Sequence, residues 1–232
     1  MRRFYVYGAR TFLCICYNKQ KQEGEMGKRY ILAVLLLAGM CSGAAAALPE
    51  IALLPPDKTR GTAVMQALSE RKSTRVFAPE KLTRRDLSDL LWAANGVNRP
   101  DGKRTAPSAL NRQDIDVYAA FEEGVYRYDA PSHSLVPVAE GDVRPVKAPV
   151  VLLLVAKEDT DYAPIDAGIV SQNIYLFCSG VGLATVTRGS MDADKLAKAL
   201  KLTGQQKVIL NQPVGYFQKT SKEKKAEKKA EK

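Results

Sequence analysis

Two apolar runs in the second half of the chain constrain its fold more than any other feature. Residues 150–155 read Val-Val-Leu-Leu-Leu-Val, without the polar alternation of a half-exposed strand, so they predict a strand that is buried on both faces. Residues 165–180 are apolar over most of their length and predict a long helix that is buried nearly all round. A strand covered on both faces needs neighbouring strands and covering layers, so these runs predict a layered domain with one core.

Two helices are predicted ahead of these runs. Residues 82–94 carry leucines at three- and four-residue spacing, Thr83 caps them together with Asp86, and Gly96 ends the helix. Residues 62–68 predict a shorter helix, and the same spacing places three residues on one face: Val64, Ala67 and Leu68.

The strands are predicted from short β-prone runs bounded by turn residues. Residues 125–129 and 135–138 flank a turn around Pro131 and predict a β-hairpin. The other predicted elements are strands at 116–121, 182–187 and 208–210 and a helix from an Asp192 cap to Leu200. Because the hairpin interrupts the alternation of helices and strands, the pattern predicts an α+β domain with a central sheet.

The formal net charge of +10 is concentrated at the two ends of the chain. Residues 1–47 hold seven basic and two acidic residues, and residues 219–232 hold seven lysines and three glutamates. The segment 48–218, the predicted folded domain, is left with a charge of only +1. A nucleic-acid-binding domain carries its basic residues on the folded body, so no nucleic-acid partner is predicted. The lysine- and glutamate-rich end at 219–232 is predicted to be a solvated tail.

The basic N-terminal end has the order of a secretory signal peptide. Lys28 and Arg29 precede a short apolar run, and four alanines follow at 44–47. Residues 26–47 are therefore predicted to be the signal peptide, residues 1–25 an upstream extension ahead of the true start, and the mature protein periplasmic or secreted. The apolar run is too short for a membrane span, so no stable membrane anchor is expected after cleavage.

The predicted domain has little material for nucleophilic or metal chemistry. Cys178 is the only cysteine after residue 47 and lies inside the apolar helical run, where a small core residue is expected. His133, the single histidine, lies in the predicted hairpin turn. This scarcity argues against a Ser-His-Asp triad and against a cysteine- or histidine-based zinc site, so no metal is predicted.

Residues 70–77, Glu-Arg-Lys-Ser-Thr-Arg-Val-Phe, form a basic segment between the first two helices. If the segment is extended, alternation puts Arg71, Ser73 and Arg75 on one side. Guanidinium groups at fixed spacing suit the phosphate of a nucleotide cofactor. A solvated basic turn is the competing interpretation of the same residues. The irregular segment 96–112 is too long for a simple turn, and long ordered loops of this kind are often functional.

Four segments, taken in sequence order, resemble the flavin-dependent nitroreductases. They are the R-x-S-x-R-x-[FY] motif at 71–77, the P-S-x-x-N-x-Q segment at 107–113, the long dimer-interface helix and following strand at 166–183, and the late Gly-Tyr segment at 214–216. The resemblance covers about residues 61–217. The hairpin region resembles a branch of the family that includes dehydrogenases acting on azoline-containing peptides.

The resemblance implies a nitroreductase-like fold, with a central, mostly antiparallel sheet flanked by helices and an inserted β-hairpin. It also implies a homodimer with FMN bound at the subunit interface. The residues implied to hold the FMN phosphate and ribityl chain are Arg71, Lys72, Ser73 and Arg75. Those implied to border the flavin ring from the other subunit are Pro107, Ser108 and Asn111, and those implied to reach the flavin edge are Thr187, Arg188 and Gly189.

The implied activity is an FMN-dependent oxidoreductase in which the flavin carries the chemistry and no catalytic side chain is required. Hydride or electrons would pass from a reduced donor, nicotinamide or other, to a small acceptor such as a nitroaromatic or quinone. Gln113 is followed by Asp114 and Ile115 where many relatives have Pro-Trp, which leaves the substrate side open.

Export conflicts with the scarcity of reduced nicotinamides outside the cytoplasm. Three explanations stay open: another electron donor, a wrong export prediction, or reuse of the fold. The alternative function is an exported, non-catalytic flavin- or ligand-binding protein.

Overall fold

The computed structural model describes residues 48–219. The predicted upstream extension, the predicted signal peptide and residues 220–232 of the predicted tail lie outside the described residues, so their boundaries stay predictions. In the described part, no helix combines the length and apolar character needed to cross a membrane.

One seven-stranded sheet forms the centre of the described domain. Its strands are β1 (Ile51–Ala52), β2 (Ile115–Ala120), β3 (Gly124–Asp129), β4 (Ser134–Glu140), β5 (Val150–Ala156), β6 (Leu183–Thr185) and β7 (Lys207–Tyr216). They lie in the order β1-β4-β3-β2-β5-β7-β6, and every pairing is antiparallel. Strands β3 and β4 are the predicted hairpin, and the predicted α+β class with a central antiparallel sheet is confirmed.

Four α-helices accompany the sheet in the described residues. They are α1 (Val64–Glu70), α2 (Arg84–Asn95), α3 (Ala163–Val181) and α4 (Ala193–Ala199). Both predicted N-caps are present, because the side chains of Thr83 and Asp192 accept hydrogen bonds from the backbone N–H groups of the third residue on. Gly96 follows α2 as its C-cap, as predicted.

The middle of the sheet is buried on both faces, as the apolar run predicts. All seven residues of β5 are fully buried, with β2 and β7 as its neighbours. On one face, α2 and α3 contribute residues such as Leu90 and Ile174 to the core. On the other face, Leu196 of α4 packs with Leu153 and its neighbours.

The outer faces of α1 and α3 are more exposed than the sequence predicts. In α3 only one stripe is buried, Ala163, Ala167, Val170, Ile174 and Cys178 among its apolar members, and Ile165 is 61% exposed. In α1 only Ala67 is buried, while Val64 and Leu68 are 65% and 46% exposed. The prediction that α3 is buried nearly all round is therefore wrong for the single chain, and the apolar face of α1 that the sequence predicts is largely exposed. Among residues 48–219 of one chain, nothing covers these faces.

Strand β7 continues past its predicted end at Leu210 and runs through Pro213. The last β6 residue, Thr185, pairs with Val214, so Pro213 lies beyond the end of β6 and is paired in the ladder with β5 only. Proline is tolerated at such a position because one side of the strand needs no N–H donor there.

The late Gly-Tyr segment has a structural role in the described chain. A Cβ atom on Gly215 would stand 2.8 Å from Cδ of Pro149 and 3.2 Å from Cβ of Phe77, so only glycine fits without a shift. The Tyr216 hydroxyl donates to the Asp86 carboxylate at 2.6 Å and accepts from the Thr83 N–H at 3.0 Å. The segment therefore ties the end of β7 to the start of α2.

Cys178 and His133 both have structural roles in the fold. Cys178 is fully buried, and burial raises the pKa of its thiol. The His133 ring contacts the Tyr128 hydroxyl at 2.8 Å and the Leu54 carbonyl oxygen at 2.9 Å, and burial lowers its pKa. Cys178 is thus the core residue that the sequence predicts, whereas His133 is half-buried and bonded at both nitrogens.

Candidate active site

The basic segment lies against the end of the sheet, not free in solvent. After α1 ends at Glu70, residues 71–76 run without regular secondary structure. The Thr74 N–H donates to the Thr185 carbonyl oxygen of β6 at 2.9 Å, and Phe77 pairs with Phe217. These anchors place the segment beside the second half of α3. A freely solvated turn is therefore the weaker interpretation of this segment.

Tyr175 of α3 joins the basic segment to the segment after β6. Its hydroxyl lies 2.8 Å from Oγ of Ser73 and accepts from the Thr187 N–H at 3.0 Å. With the Thr187 N–H as donor, the hydroxyl hydrogen is available to Ser73. The Arg71 guanidinium carbon lies 5.2 Å from the centre of the same ring, within the range of a cation–π contact.

A cavity of about 440 Å³ opens beside this tyrosine. Arg71 and Lys72 line it together with Tyr175 and Phe217, and the Lys72 ammonium nitrogen lies 5.2 Å from the centre of the Phe217 ring. Its volume is within the range of cavities that bind small molecules, about 300–1,000 Å³. The cavity thus combines two cations with two aromatic rings, and Glu70, whose carboxylate accepts a hydrogen bond from Gln66, also lines it.

The structure does not place the three predicted side chains on one side by alternation. Arg71 and its immediate neighbour Lys72 line the same cavity, because the backbone is irregular and not a strand. Ser73 reaches Tyr175, whereas Arg75 is exposed and does not line this cavity.

Residues 187–189, the predicted site residues of the segment after β6, lie in two different parts of the structure. Thr187 faces α3, where its hydroxyl bonds to Ser171 and its N–H to Tyr175. Arg188 exchanges backbone hydrogen bonds with Asn211, and its side chain lines a separate cavity of about 540 Å³. Gly189 is exposed. Thr187 is therefore the member of this trio that the structure brings to the basic segment.

The loop 107–113, which is predicted to border the flavin ring, lies at the other end of α3. Asp166, in the first turn of that helix, accepts from the Ala109 N–H at 3.1 Å and 3.2 Å, and Oγ of Ser108 accepts from the Gln113 N–H at 2.8 Å. Pro107 and Asn111 are exposed. Nine residues of helix, about 13 Å at 1.5 Å per residue, separate Asp166 from Tyr175. One chain therefore does not bring this loop to the cavity.

Tyr175 is not among the site residues predicted from the sequence, although a pattern of hydroxyl-bearing residues in α3 points to it. Ser171, Tyr175 and Ser179 recur at four-residue spacing on an otherwise apolar helix, which places three hydroxyl groups on one face. In the structure each hydroxyl bonds to another segment: Ser171 to Thr187, Tyr175 to Ser73 and Ser179 to the Ala67 carbonyl. This stripe is where α3 meets the cavity and its surroundings.

Comparison with known proteins identifies the family. The model of the nitroreductase family matches residues 68–216, well over half of the chain. The chain belongs to the nitroreductase family. The matched residues include the basic segment, the loop 107–113, α3 and all of β7.

Individual nitroreductases agree with this assignment. A nitroreductase homologue from Methanocaldococcus jannaschii is 31% identical over 176 residues, covering 64% of this chain and 88% of its own length. The crystal structure of a nitroreductase homologue from Ralstonia eutropha is 36% identical, with a TM-score of 0.70 over 75% of this chain and 94% of that one. Membership of the family supports oxidoreductase chemistry.

A more distant solved structure shares the fold of this chain. The E. coli microcin synthetase complex contains a chain with a TM-score of 0.55 and 16% identity, over 94% of this chain and 85% of that one. At this identity the likeness is one of fold alone.

Replacing Tyr175 by phenylalanine tests the junction that Tyr175 forms between the basic segment and the segment after β6. The change removes the hydroxyl that binds Ser73 and leaves the Thr187 N–H without its acceptor. We expect Tyr175→Phe to lower the free energy of unfolding by about 1–2 kcal/mol, measured by urea denaturation.

The matched control is Tyr162→Phe, the same change at a half-exposed tyrosine just ahead of α3. It should alter stability by less than about 0.5 kcal/mol. Equal stability of Tyr175→Phe and the wild type would contradict the joining role of Tyr175.

Proposed function

We propose that the protein is an FMN-dependent oxidoreductase that passes hydride or electrons from a reduced donor to a small organic acceptor such as a nitroaromatic or quinone. The observation that carries the proposal is the Tyr175 junction. The Tyr175 hydroxyl bonds to Ser73 of the basic segment and to the Thr187 N–H of the segment after β6, and Tyr175 lines the same cavity as the cations Arg71 and Lys72. Family membership supplies the class of chemistry.

The residues at this cavity fit the phosphate end of FMN. Arg71 and Lys72 line it and supply positive charge, and Ser73, bonded to the Tyr175 hydroxyl, supplies a hydroxyl group next to it. Charge-assisted hydrogen bonds from such groups are the strong contacts for a phosphate. In this proposal Tyr175 sets the position of both Arg71 and Ser73, and Arg75 adds charge at the rim.

The proposal assigns the ring end to two further groups. Thr187 and Gly189 lie on the segment that would border the flavin edge, and Arg188 would contact substrate. Pro107, Ser108 and Asn111 would come from a second copy of the chain. Their loop is bonded to Asp166, about 13 Å along α3 from Tyr175, which is the reason for drawing them from a partner.

Unpartnered apolar side chains support a homodimer. Val64, Met65 and Leu68 of α1 are 65%, 77% and 46% exposed, and Ile165 of α3 is 61% exposed. Exposed apolar surface of this kind is typical of an interaction site. A second copy packed on these helices would bury it and bring the partner loop to the cavity.

The protein side chains in this proposal bind and orient, and they do not react. Bound FMN would supply the hydride and electron transfer. His133 has both ring nitrogens engaged, and the thiol of Cys178 is fully buried. Neither residue lines the cavity beside Tyr175.

The compartment belongs to the proposal as well. With the predicted signal peptide cleaved, the mature protein would be periplasmic or secreted, where reduced nicotinamides are scarce. The donor is therefore proposed by class only, as a reduced nicotinamide or another two-electron reductant.

Turnover separates this function from a non-catalytic flavin-binding protein. The purified protein, loaded with FMN and kept free of oxygen, should lose its flavin absorbance when dithionite or NADH is added. It should then regain that absorbance rapidly on addition of a nitroaromatic or a quinone. Bound flavin that is reduced but not reoxidised faster than free FMN would favour the binding protein.

Replacing Arg71 by alanine tests the phosphate site. Loss of a charge-assisted contact should cost about 1.5–3 kcal/mol of FMN affinity, which corresponds to about a 10- to 150-fold higher Kd. Fluorescence titration of the flavin-free protein measures it. Arg127→Ala, on strand β3, is the matched control, and its Kd should not change. An unchanged Kd in Arg71→Ala would show that the phosphate lies elsewhere.

A charge on α1 tests the dimer. Leu68→Glu would place a carboxylate in the proposed interface, at a cost of about 3 kcal/mol or more, so sedimentation velocity should show the dimer shifted to monomer. The same protein should also release FMN. Ser69→Glu adds the same charge to an exposed polar position of α1 and should stay dimeric. If Leu68→Glu sediments like the wild type, the interface is not on α1.

A further inference from the structure

Two buried aspartates lie together under the loop that precedes β2. Asp114 and Asp166 are 4% and 3% exposed. Both line a small cavity of about 10 Å³, which the loop closes with Pro107 and Ser108. Asp166 accepts from the Ala109 N–H through both carboxylate oxygens.

Asp114 has no such donor. Among the described residues, neither of its side-chain oxygens has a hydrogen-bond partner, although both are buried. A buried carboxylate without a partner is strongly disfavoured, because burial removes the water that solvates its charge. A second carboxylate beside it makes ionisation of both groups harder still. Burial, followed by the charge of Asp166, raises the pKa of Asp114.

We infer that Asp114 is a positioning residue: its carboxyl group stays protonated and donates a hydrogen bond to Asp166, and this pair fixes the loop 107–113 to the first turn of α3. Proton and charge balance in this arrangement, since the pair carries one proton and one negative charge. The ionised oxygens of Asp166 then serve two donors, the Asp114 hydroxyl and the Ala109 N–H.

The loop needs an anchor because its backbone is strained. Leu110, Asn111 and Gln113 have positive φ angles of 53°, 54° and 49°, a region that L-residues rarely occupy. Leu110 is also 87% exposed, so packing does not hold it. Such conformations persist only where surrounding contacts fix them. The Asp166–Ala109 hydrogen bonds lie directly before the first of these residues.

The charged groups around the pair are engaged elsewhere. Arg112 of the loop pairs with Glu158, and Lys157, which follows β5, pairs with Asp116 of β2 and donates to the Gln113 carbonyl. Arg104 donates to the Gln113 side chain, and the neutral Asn95 of α2 donates to the Ile115 carbonyl. Arg112 is the one nearby cation that lowers the pKa of Asp114, and its effect is smaller than those of burial and Asp166.

The pH dependence of unfolding gives a direct test, for which no flavin is needed. With its pKa raised on folding, Asp114 binds its proton more tightly in the folded state. The free energy of unfolding therefore falls as pH rises above about 3.9, the ordinary aspartate value. Asp114→Asn keeps a hydrogen-bond donor and removes the titration. Its Tm minus that of the wild type should therefore rise by about 3 °C or more between pH 4 and pH 8.

Asp116→Asn is the matched control, two residues away on β2. Its carboxylate lies 3.5 Å from the Lys157 ammonium instead of beside a second carboxylate, so the corresponding Tm difference should not rise with pH. A flat difference for Asp114→Asn as well would overturn the inference.

Hydrogen exchange at the Ala109 amide reports the loop itself. Asp114→Ala, which has no donor, should exchange this amide at least about tenfold faster than the wild type. Asp114→Asn should stay within about threefold of the wild type, because its amide group replaces the acid as donor. Equal loss of protection in both variants would overturn the role of the proton.

The consequence for FMN rests on the proposed function. If the loop borders the flavin of the partner, Asp114→Ala should raise the Kd for FMN and Asp114→Asn should not. An FMN affinity that is the same in both variants, with the exchange and pH results as expected, would count against the proposed place of the loop. The shared proton itself would stand.

Discussion

The packing of α3 against the buried centre of the sheet is the interaction on which the remaining structure depends. One stripe of the helix is buried with Leu152 and Leu154 of β5, and Ile174 and Cys178 of that stripe are fully buried. Dense packing of this kind fixes the rotation of a helix, because a turn of the helix would replace apolar contacts by gaps. With the rotation fixed, Asp166 points to the loop before β2, and Tyr175 points to the basic segment.

A buried polar network lies next to this packing and restricts how the helix, the strand and the loop can be aligned. Gln212 of β7 is fully buried, and Ser171 of α3 lies 2.8 Å from its side-chain oxygen. Ser171 also bonds to Thr187, which in turn donates its N–H to Tyr175. Buried polar groups are costly unless each finds a partner, so this chain of contacts favours one register of helix, strand and loop. The site is held by the same contacts that satisfy the core.

Elements governed by local chemistry could be predicted from the sequence. The buried strand β5, the Thr83 and Asp192 caps and the hairpin all follow from patterns within a few residues of each other. The basic segment was also recognised as a candidate site, because guanidinium groups at fixed spacing suit a phosphate.

Features set by distant contacts could not be predicted in the same way. The exposed apolar faces of α1 and α3 depend on what covers them, and periodicity reports only that a face is apolar. The extension of β7 through Pro213 depends on where β6 ends, and the position of Arg75 outside the cavity depends on an irregular backbone. Tyr175 was missed because its partners are 102 and 12 residues away. Its hydroxyl can join two segments only once the fold brings Ser73 and Thr187 within hydrogen-bond distance.

The central claim is that the cavity beside Tyr175 holds the phosphate end of a flavin. The most direct measurement is the absorbance spectrum of the purified protein, taken as isolated and again after incubation with excess FMN and removal of free flavin by gel filtration. The account predicts a yellow protein that retains FMN in an equimolar amount with the chain. A colourless protein that retains no FMN after incubation would contradict it.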